Sequence, residues 1–509
     1  MRVVSAAESA ARDRAAIAAG IPSRALMRVA GTATAGEIAR RFGALLSRGV
    51  AIYAGPGNNG GDAWVVAAAL AAVGVPVRVT AVGETRTPDA IAERAAAEPL
   101  IGSGTSAPGS EAIVVDGLLG TGATGAPRGV VADAIARIAE SRRQGAVVVA
   151  LDVPSGVDAT TGSAEGAVRA DLTVTFGTLK RGLAIARGHA GAIAVLDIGL
   201  GIHADGDDRT PSLVDAMFVG ERVPRIAADA NKGTRRRLAI VAGAEGMVGA
   251  ALLAAQGALA SGIGLVRLFV APANVPVVQS TAFESLAQPW PADDPSVSRD
   301  IDAWAHAVLL GPGLGGGANA RALVERVLRH TRLPIVVDAD GLNAFAGRPG
   351  ELAALLGGRP AIITPHPGEF GRLVGASIDE VLAQRFEIGQ PLAAQLGAAV
   401  LLKGVPTVVS GSDQRMVSAA GSPVLAVGGS GDLLGGIVAT LLAQTGDPLV
   451  SAACGAWVHG RAAEVAGAGR VRGITLDDVV RALPAAWASA ADDDRYPVLA
   501  SLPAVGEVG

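Results

Sequence analysis

The chain of 509 residues holds a single cysteine, Cys454. That excludes an internal disulfide framework and leaves the thiol to be read as a small buried hydrophobe. Histidines number only six; they are scattered, and the acidic pairs lack ligand spacing, which argues against a structural zinc site. Aromatic residues make up 3% of the chain, although half of it is hydrophobic. Large cores built from Ala, Val and Leu suit helices packed on parallel sheets, whose buried strands are near-continuous apolar runs. A formal net charge of −4 offers no global attraction to nucleic acid or to an anionic membrane. No apolar stretch runs unbroken for the length of a membrane span, since the best candidates are interrupted by Asp62 or Gln256. The opening MRVVSAAESAARDRAA carries charges where a secretory signal needs an apolar centre. The expectation is a soluble cytoplasmic protein with no nucleic-acid or membrane partner.

The length exceeds what one hydrophobic core sustains, so two domains are expected. Short buried-strand candidates alternate with helical stretches, the βαβ rhythm of a doubly wound α/β sheet with helices on both faces. The first series runs over 50–55, 75–82, 112–117, 146–153, 170–177 and 192–199. The rhythm breaks over 201–236, rich in charge, Pro and Gly, and a second series follows over 237–243, 265–271, 306–313, 334–340, 360–366 and 398–404. With a boundary near 215–225, the expected organisation is a first domain over 1–220, a second over 221–492 and a loosely ordered tail over 493–509.

The strands of the second series end in chemically loaded turns, at the carboxyl edge where open α/β sheets bind ligands. LGPGLGGG (310–317) includes Gly313 and leaves bare backbone for a ligand to approach. VVDADGLNAF (336–345) contributes Asp338, Asp340 and Asn343, and ITPHPGEF (363–370) sets His366 beside Glu369 in a loop stiffened by proline. VLLKGVPTVV (400–409) ends a strand at Lys403, a flexible cation suited to phosphate. GGSGDLLGG (428–436) strips side chains from a turn and puts Asp432 at the mouth of an apolar helix. Orphan N–H groups and the helix dipole draw anions to such a place, although an isolated turn of this kind equally serves to cap the helix.

In the first series, YAGPGNNGGDAW (53–64) combines glycines with Asn58, Asn59 and Asp62 at a helix start. VVDGLLGTGATGAPRG (114–129) pairs Asp116 with a glycine-threonine loop, and ALDVPSGVDATTG (150–162) places Asp152 and Ser155 after another strand. Three oxygen-rich turns at one sheet edge can converge on a hard cation. Each alone is also an ordinary turn.

Taken in order, the motifs from Asn231-Lys232-Gly233 through GAEGMVGAALLAAQGALASGIGLV, GPGLG, DADGLN, TPHPGE and LKG to GGSGD resemble the ADP- or ATP-dependent NAD(P)H-hydrate dehydratases, members of the ribokinase-like superfamily. The resemblance implies that Asp432 is the catalytic carboxylate and contacts the hydrated nicotinamide, with Ala250, Gly313 and His366 lining the hydrate pocket. It further implies an anion hole of Gly428, Gly429 and Gly431, nucleotide contacts from Lys403, Gly404, Val405, Pro406, Thr407 and Gly431, and Glu369 organising Mg²⁺ through water. The first half resembles the NAD(P)H-hydrate epimerase domain, with a Rossmann-like sheet, through the three turns together with LMRVAG (26–31) and TFGTLKRGL (175–183). By this likeness Asn59, Asp116 and Ser155 would bind K⁺. Asn58, Asn59, Gly60, Gly61 and Asp62, the loop Gly120, Thr121, Gly122, Ala123, Thr124, Gly125 and Ala126, and Asp152 would bind the hydrate, with Asp152 the leading acid-base group. A homo-oligomer is implied as well. The sequence departs from the family pattern at SPVLA (422–426), at TRRR (234–237) and at Arg28, where an acidic residue is usual. The competing reading is a small-molecule kinase fused to a non-catalytic nucleotide-binding module.

Overall fold

The computed structural model describes residues 1–101, 109–205, 209–290, 296–488 and 496–505. The chain forms two compact units, one of Met1–Thr210 with Asp492–Glu507, the other of Pro211–Ala491 with Val508–Gly509. Among the described residues no helix is long and apolar enough to cross a membrane.

The first unit is built on a seven-stranded sheet. From one edge the strands run Val498–Leu502, Ala192–Leu196, Leu172–Phe176, Val147–Leu151, Ile113–Gly117, Val50–Ala54 and Val77–Ala81. All neighbours pair parallel except the first two. Every residue of Val50–Ala54, Ile113–Gly117 and Leu172–Phe176 is buried, as expected of strands covered on both faces. Chain order reverses between Val50–Ala54 and Ile113–Gly117, so a crevice opens at the carboxyl ends of those two strands. The turns at 55–62 and 118–126 lie at this switch point.

Val498–Leu502 lies in the stretch expected to be a loose tail. Its alternating VLASL pattern instead pairs antiparallel with Ala192–Leu196 and buries Ala500 and Leu502. Residues 493–495 and 506–509 of the expected tail, with 489–492 before it, lie outside the described part.

The second unit carries a ten-stranded sheet: Ser285–Pro289, Leu265–Val270, Arg237–Val241, Ala307–Leu310, Ile335–Val337, Ala361–Ile363, Ala399–Leu402, Thr407–Ser410, Arg415–Ser418 and Ser212–Leu213. It is parallel but for the two pairings made by Thr407–Ser410. Order reverses between Arg237–Val241 and Ala307–Leu310, the second switch point. The helix Ser430–Thr445 packs on Val248–Ala260 at backbone distance. A Cβ on Gly436 would stand 2.0 Å from the Ala254 carbonyl oxygen, and one on Gly257 2.3 Å from that of Leu433. The last glycine of GGSGDLLGG is thus a packing residue that sets where Asp432 stands.

Two candidate active sites

In the first unit a cavity of about 590 Å³ opens at the switch point. Asn58, Asn59, Asp62, Gly120, Thr121, Gly122, Ala123 and Asp152 line it, as do Asp13, Met27, Phe176 and Lys180. Gly60 and Gly61, Thr124, Gly125 and Ala126 are not on its wall. The two glycines have a packing reason to be there: a Cβ on Gly60 would fall 1.9 Å from the Gly55 carbonyl oxygen, and one on Gly61 2.6 Å from the Met27 sulfur.

Asp152 follows the strand Val147–Leu151 with φ 63, a left-handed conformation that strains a non-glycine residue. Such strain costs about 1–3 kcal/mol and collects at functional sites. Its carboxylate is held from several sides: Lys180 Nζ lies 2.7 Å from Oδ1, Thr175 Oγ1 donates to Oδ1 at 3.3 Å, and the Thr121 N–H donates to Oδ2 at 3.4 Å. Lys180 is buried and also donates to the Phe176 carbonyl at 2.9 Å. Burial, with the charges of Asp152 and Asp13, drives the Asp62 carboxyl well above the usual range.

Asp116, Ser155 and Asn59 meet around Leu119. Ser155 Oγ donates to Asp116 Oδ1 at 2.6 Å and accepts from the Leu119 N–H at 2.9 Å, while Asn59 Nδ2 donates to the Leu119 carbonyl at 2.9 Å. Asn59 Oδ1 is buried with no hydrogen-bond partner. A buried acceptor is normally satisfied, so the orphan oxygen is open to a hydrogen-bond donor or a cation.

In the second unit Asp432 lies in the first turn of Ser430–Thr445, a helix entered through Gly429 at φ 89. Burial first, then the negative charges of Asp338, Asp340 and Glu369, push Asp432 up to about 6, against the pull of Lys403. Lys403 Nζ contacts Asp338 Oδ1 at 2.8 Å and Glu369 Oε2 at 3.9 Å. A Cβ on Gly431 would stand 3.1 Å from that Nζ, so the absence of a side chain lets the cation come up to the helix mouth. Burial works against the Lys403 charge, but the carboxylates of Asp338 and Glu369 hold it above its usual range.

His366 and Glu369 form a reciprocal cap on the helix Pro367–Val374: Nδ1 of His366 accepts from the Gly368 N–H at 3.0 Å, and Glu369 Oε2 accepts from the His366 N–H at 2.9 Å. Ala250 and Gly313 come together across the switch point, where a Cβ on Gly313 would be 2.8 Å from that of Ala250. Gly404 to Pro406 form the turn between Ala399–Leu402 and Thr407–Ser410, exposed at Gly404 and Val405 and buried at Pro406, closed by a bond from Thr407 Oγ1 to the Gly404 carbonyl at 3.1 Å. A Cβ on Gly428 would meet nothing within 4 Å. Asp338 Oδ2 is buried without a partner, and no cluster of three or more His, Cys, Asp or Glu able to hold a metal exists among the described residues. That donor set fits a magnesium ion held through water and substrate phosphate, not an all-protein cage.

The departures have local reasons. Arg28 Nε donates to the buried Glu93 at 2.7 Å, so the arginine finds its counter-charge on the helix Pro88–Ala97. Arg237 stacks on Trp304, and Arg235 bonds the Gly262 carbonyl at 3.0 Å. Ser422 caps the short turn Pro423–Leu425.

Two residues of the cavity wall, Lys180 and Asp13, and a buried histidine that feels the charge of Lys403 were not singled out from the sequence. Lys180 sits inside TFGTLKRGL and carried a signal, as a lysine just after a buried strand. Asp13, in the helix Ala6–Ala18, had no motif around it. Nor did His459, buried in mid-helix with Nε2 unpartnered and pushed down to about 4 by burial and then by Lys403.

The family described as NAD(P)H-hydrate dehydratase matches residues 238–485, and that described as YjeF-related protein N-terminus matches residues 23–182. The chain is 35% identical to the bifunctional NAD(P)H-hydrate repair enzyme Nnr of Moorella thermoacetica, with 95% of this chain and 96% of that one covered. It is 34% identical to the enzyme of that name from Coxiella burnetii, covering 92% and 95%, and 33% identical to that of Escherichia coli, covering 81% and 80%. Among solved structures, the ADP/ATP-dependent NAD(P)H-hydrate dehydratase of Bacillus subtilis co-crystallised with ATP/Mg²⁺ is 29% identical, covers 53% of this chain and 95% of its own, and has a TM-score of 0.47.

Proposed function

The chain belongs to the bifunctional NAD(P)H-hydrate repair enzymes, and from that premise we propose how its two sites divide the work. The first unit interconverts the R and S forms of NAD(P)H hydrate, and the second dehydrates the S form to NAD(P)H at the expense of ADP or ATP. Likeness over nearly the whole chain sets aside the kinase fused to an inert module.

The hydrate carries a hydroxyl at C6 of the reduced nicotinamide ring, and hydroxide is a poor leaving group. Asp432 takes the hydroxyl proton as that oxygen attacks the terminal phosphorus of the nucleotide. Charge spreading over the phosphoryl oxygens faces the bare backbone of Gly428, Gly429 and Gly431, the helix N-terminus and Lys403. The turn from Lys403 to Thr407 lies along the nucleotide, with Ala250, Gly313 and His366 around the hydrate. Mg²⁺, held through water by Glu369 and Asp338, would add neutralising charge at the phosphates. Phosphate then departs as the ring nitrogen donates its lone pair, and loss of a C5 proton to solvent from the resulting C6=N1⁺ ion restores the C5=C6 double bond of NAD(P)H. The observation that carries this reading is Asp432, a carboxyl raised to about 6 in the first turn of a helix facing the partly buried Lys403.

In the first unit Asp152 is the acid-base group, and K⁺ would be held by Asn59, Asp116 and Ser155, where the unpartnered Asn59 oxygen supports it and the ion would supply fixed positive charge beside the loop Gly120–Ala126. We place the enzyme in the cytoplasm as a homo-oligomer, an assembly that light scattering checks. With S-NADH hydrate, Mg²⁺ and adenine nucleotide, absorbance at 340 nm should return in step with phosphate release. Phosphorylation without return of the band sinks the dehydratase reading. Asp152→Asn should stop R/S exchange and leave S-hydrate dehydration intact.

A further inference from the structure

We propose that Asp13, on the helix Ala6–Ala18, is a second acid-base residue of the epimerase site, working with Asp152 on the C6 hydroxyl. This rests on the epimerase reading above.

Inverting a carbon that bears a hydroxyl requires a proton delivered where water leaves and another removed where water adds. These events fall on different faces of the ring, beyond the reach of one carboxyl fixed to one wall. Asp152 is such a fixed group, clamped by Lys180, Thr175 and the Thr121 N–H. Two other carboxyl side chains that line the same cavity, Asp13 and Asp62, have no hydrogen bond or ion pair among the described residues. Asp89 also lines it, but accepts from Ser23 at 2.6 Å. A carboxylate kept for structure would be capped or paired; one left bare in a cavity faces whatever enters.

Asp13 and Asp62 are not equivalent. Asp62 is held strongly toward its neutral form by burial and by the charges of Asp152 and Asp13. Asp13 is raised by burial and by Asp152, against the opposing pull of Lys180 and Arg14. It also comes from a different element than Asp152, which stands at the carboxyl edge of the sheet.

The step balances as follows. Protonated Asp13 gives its proton to the C6 hydroxyl; the C6–O bond breaks and water leaves, while the N1 lone pair forms C6=N1⁺. Water then adds to the other face, a new C6–O bond forms, the C=N pair returns to N1, and Asp152 takes the released proton. In the reverse direction the two residues exchange roles, and solvent returns the proton between turnovers.

The test is Asp13→Asn in the full-length enzyme, with R/S exchange of NADH hydrate followed by chromatography. Exchange kcat should fall by at least about 100-fold with KM within about threefold, the scale of a lost general acid. Asp13→Ala should regain at least tenfold when formate is added, a rescue that a merely structural aspartate would not show. Exchange within threefold of the parent in Asp13→Asn, or an impaired Asp13→Ala that formate does not restore, overturns the proposal. Asp152→Asn run alongside separates the two claims: if it too exchanges normally, the epimerase assignment itself fails; if it alone is dead, only the role of Asp13 does.

Discussion

Lys180 Nζ lies 2.7 Å from Asp152 Oδ1 in a pair whose side chains are only 2% and 13% exposed. Removing one member of a buried pair leaves the other charge uncompensated, which costs about 3–5 kcal/mol, more than removing both. Lys180→Met should therefore destabilise the first unit by about 3 kcal/mol, and Lys180→Met combined with Asp152→Asn by less. Hydrogen exchange in the strand Val50–Ala54 reads the difference. Equal losses in the single and double variants would mean that the pair is not coupled.

Asp432 should set the acid limb of dehydration. With the group raised from 3.8 to about 6, kcat/KM is expected to fall tenfold per pH unit below about 6, since the base must be ionised. Asp432→Asn should lose at least about 100-fold in kcat while still binding nucleotide. The same shift has a stability consequence. A carboxyl whose folded value lies above its unfolded one favours the fold fully below 3.8, and that contribution is lost as pH rises through about 6. Asp432→Asn stays neutral, so at pH 8 its second unit should be more stable than the parent by about 2 kcal/mol, with no gain at pH 3. Urea unfolding at the two pH values checks the sign.

Exchange of K⁺ for tetramethylammonium should suppress epimerisation and leave dehydration of the S form alone, because Asn59, Asp116 and Ser155 belong to the first unit only. Indifference of R/S exchange to the swap rejects the ion site.

Gly436→Ala should destabilise the second unit by about 1–3 kcal/mol, the usual range for overpacking, because the new methyl carbon would lie 2.0 Å from the Ala254 carbonyl oxygen. A thermal melt at the parental temperature would show that the helix pair yields more easily than its spacing implies.

Much of this was legible in the sequence because parallel strands buried on both faces declare themselves as apolar runs: each of the twelve expected strands contains an observed one. Several observed strands were not expected: Thr407–Ser410 and Arg415–Ser418 are largely buried but short and mixed in polarity, and Val498–Leu502 lies in the expected tail. Ser285–Pro289 is an edge strand with no fully buried residue, and Ser212–Leu213 lies in a charged stretch. The turns carrying Asp152, Asp432 and Lys403 were found because polar or glycine-rich turns recur at the carboxyl ends of successive buried strands, although each alone is also an ordinary turn. Asp13 and His459 were not, since a single titratable residue inside a regular helix looks the same whether it faces solvent, core or cavity. The Lys180–Asp152 pairing depends on contacts between distant turns that no local pattern encodes.

The closing strand Val498–Leu502 ties the far end of the polypeptide into the sheet of the first unit, with the Asp197 N–H donating to the Pro497 carbonyl at 2.7 Å and Arg187 reaching the Pro503 carbonyl. The dehydratase half is therefore an insertion spliced into the epimerase half, not a neighbour appended to it. One scission between residues 210 and 211 would part the first unit from the edge strand that completes its sheet, whereas the inserted half loses nothing of its own sheet.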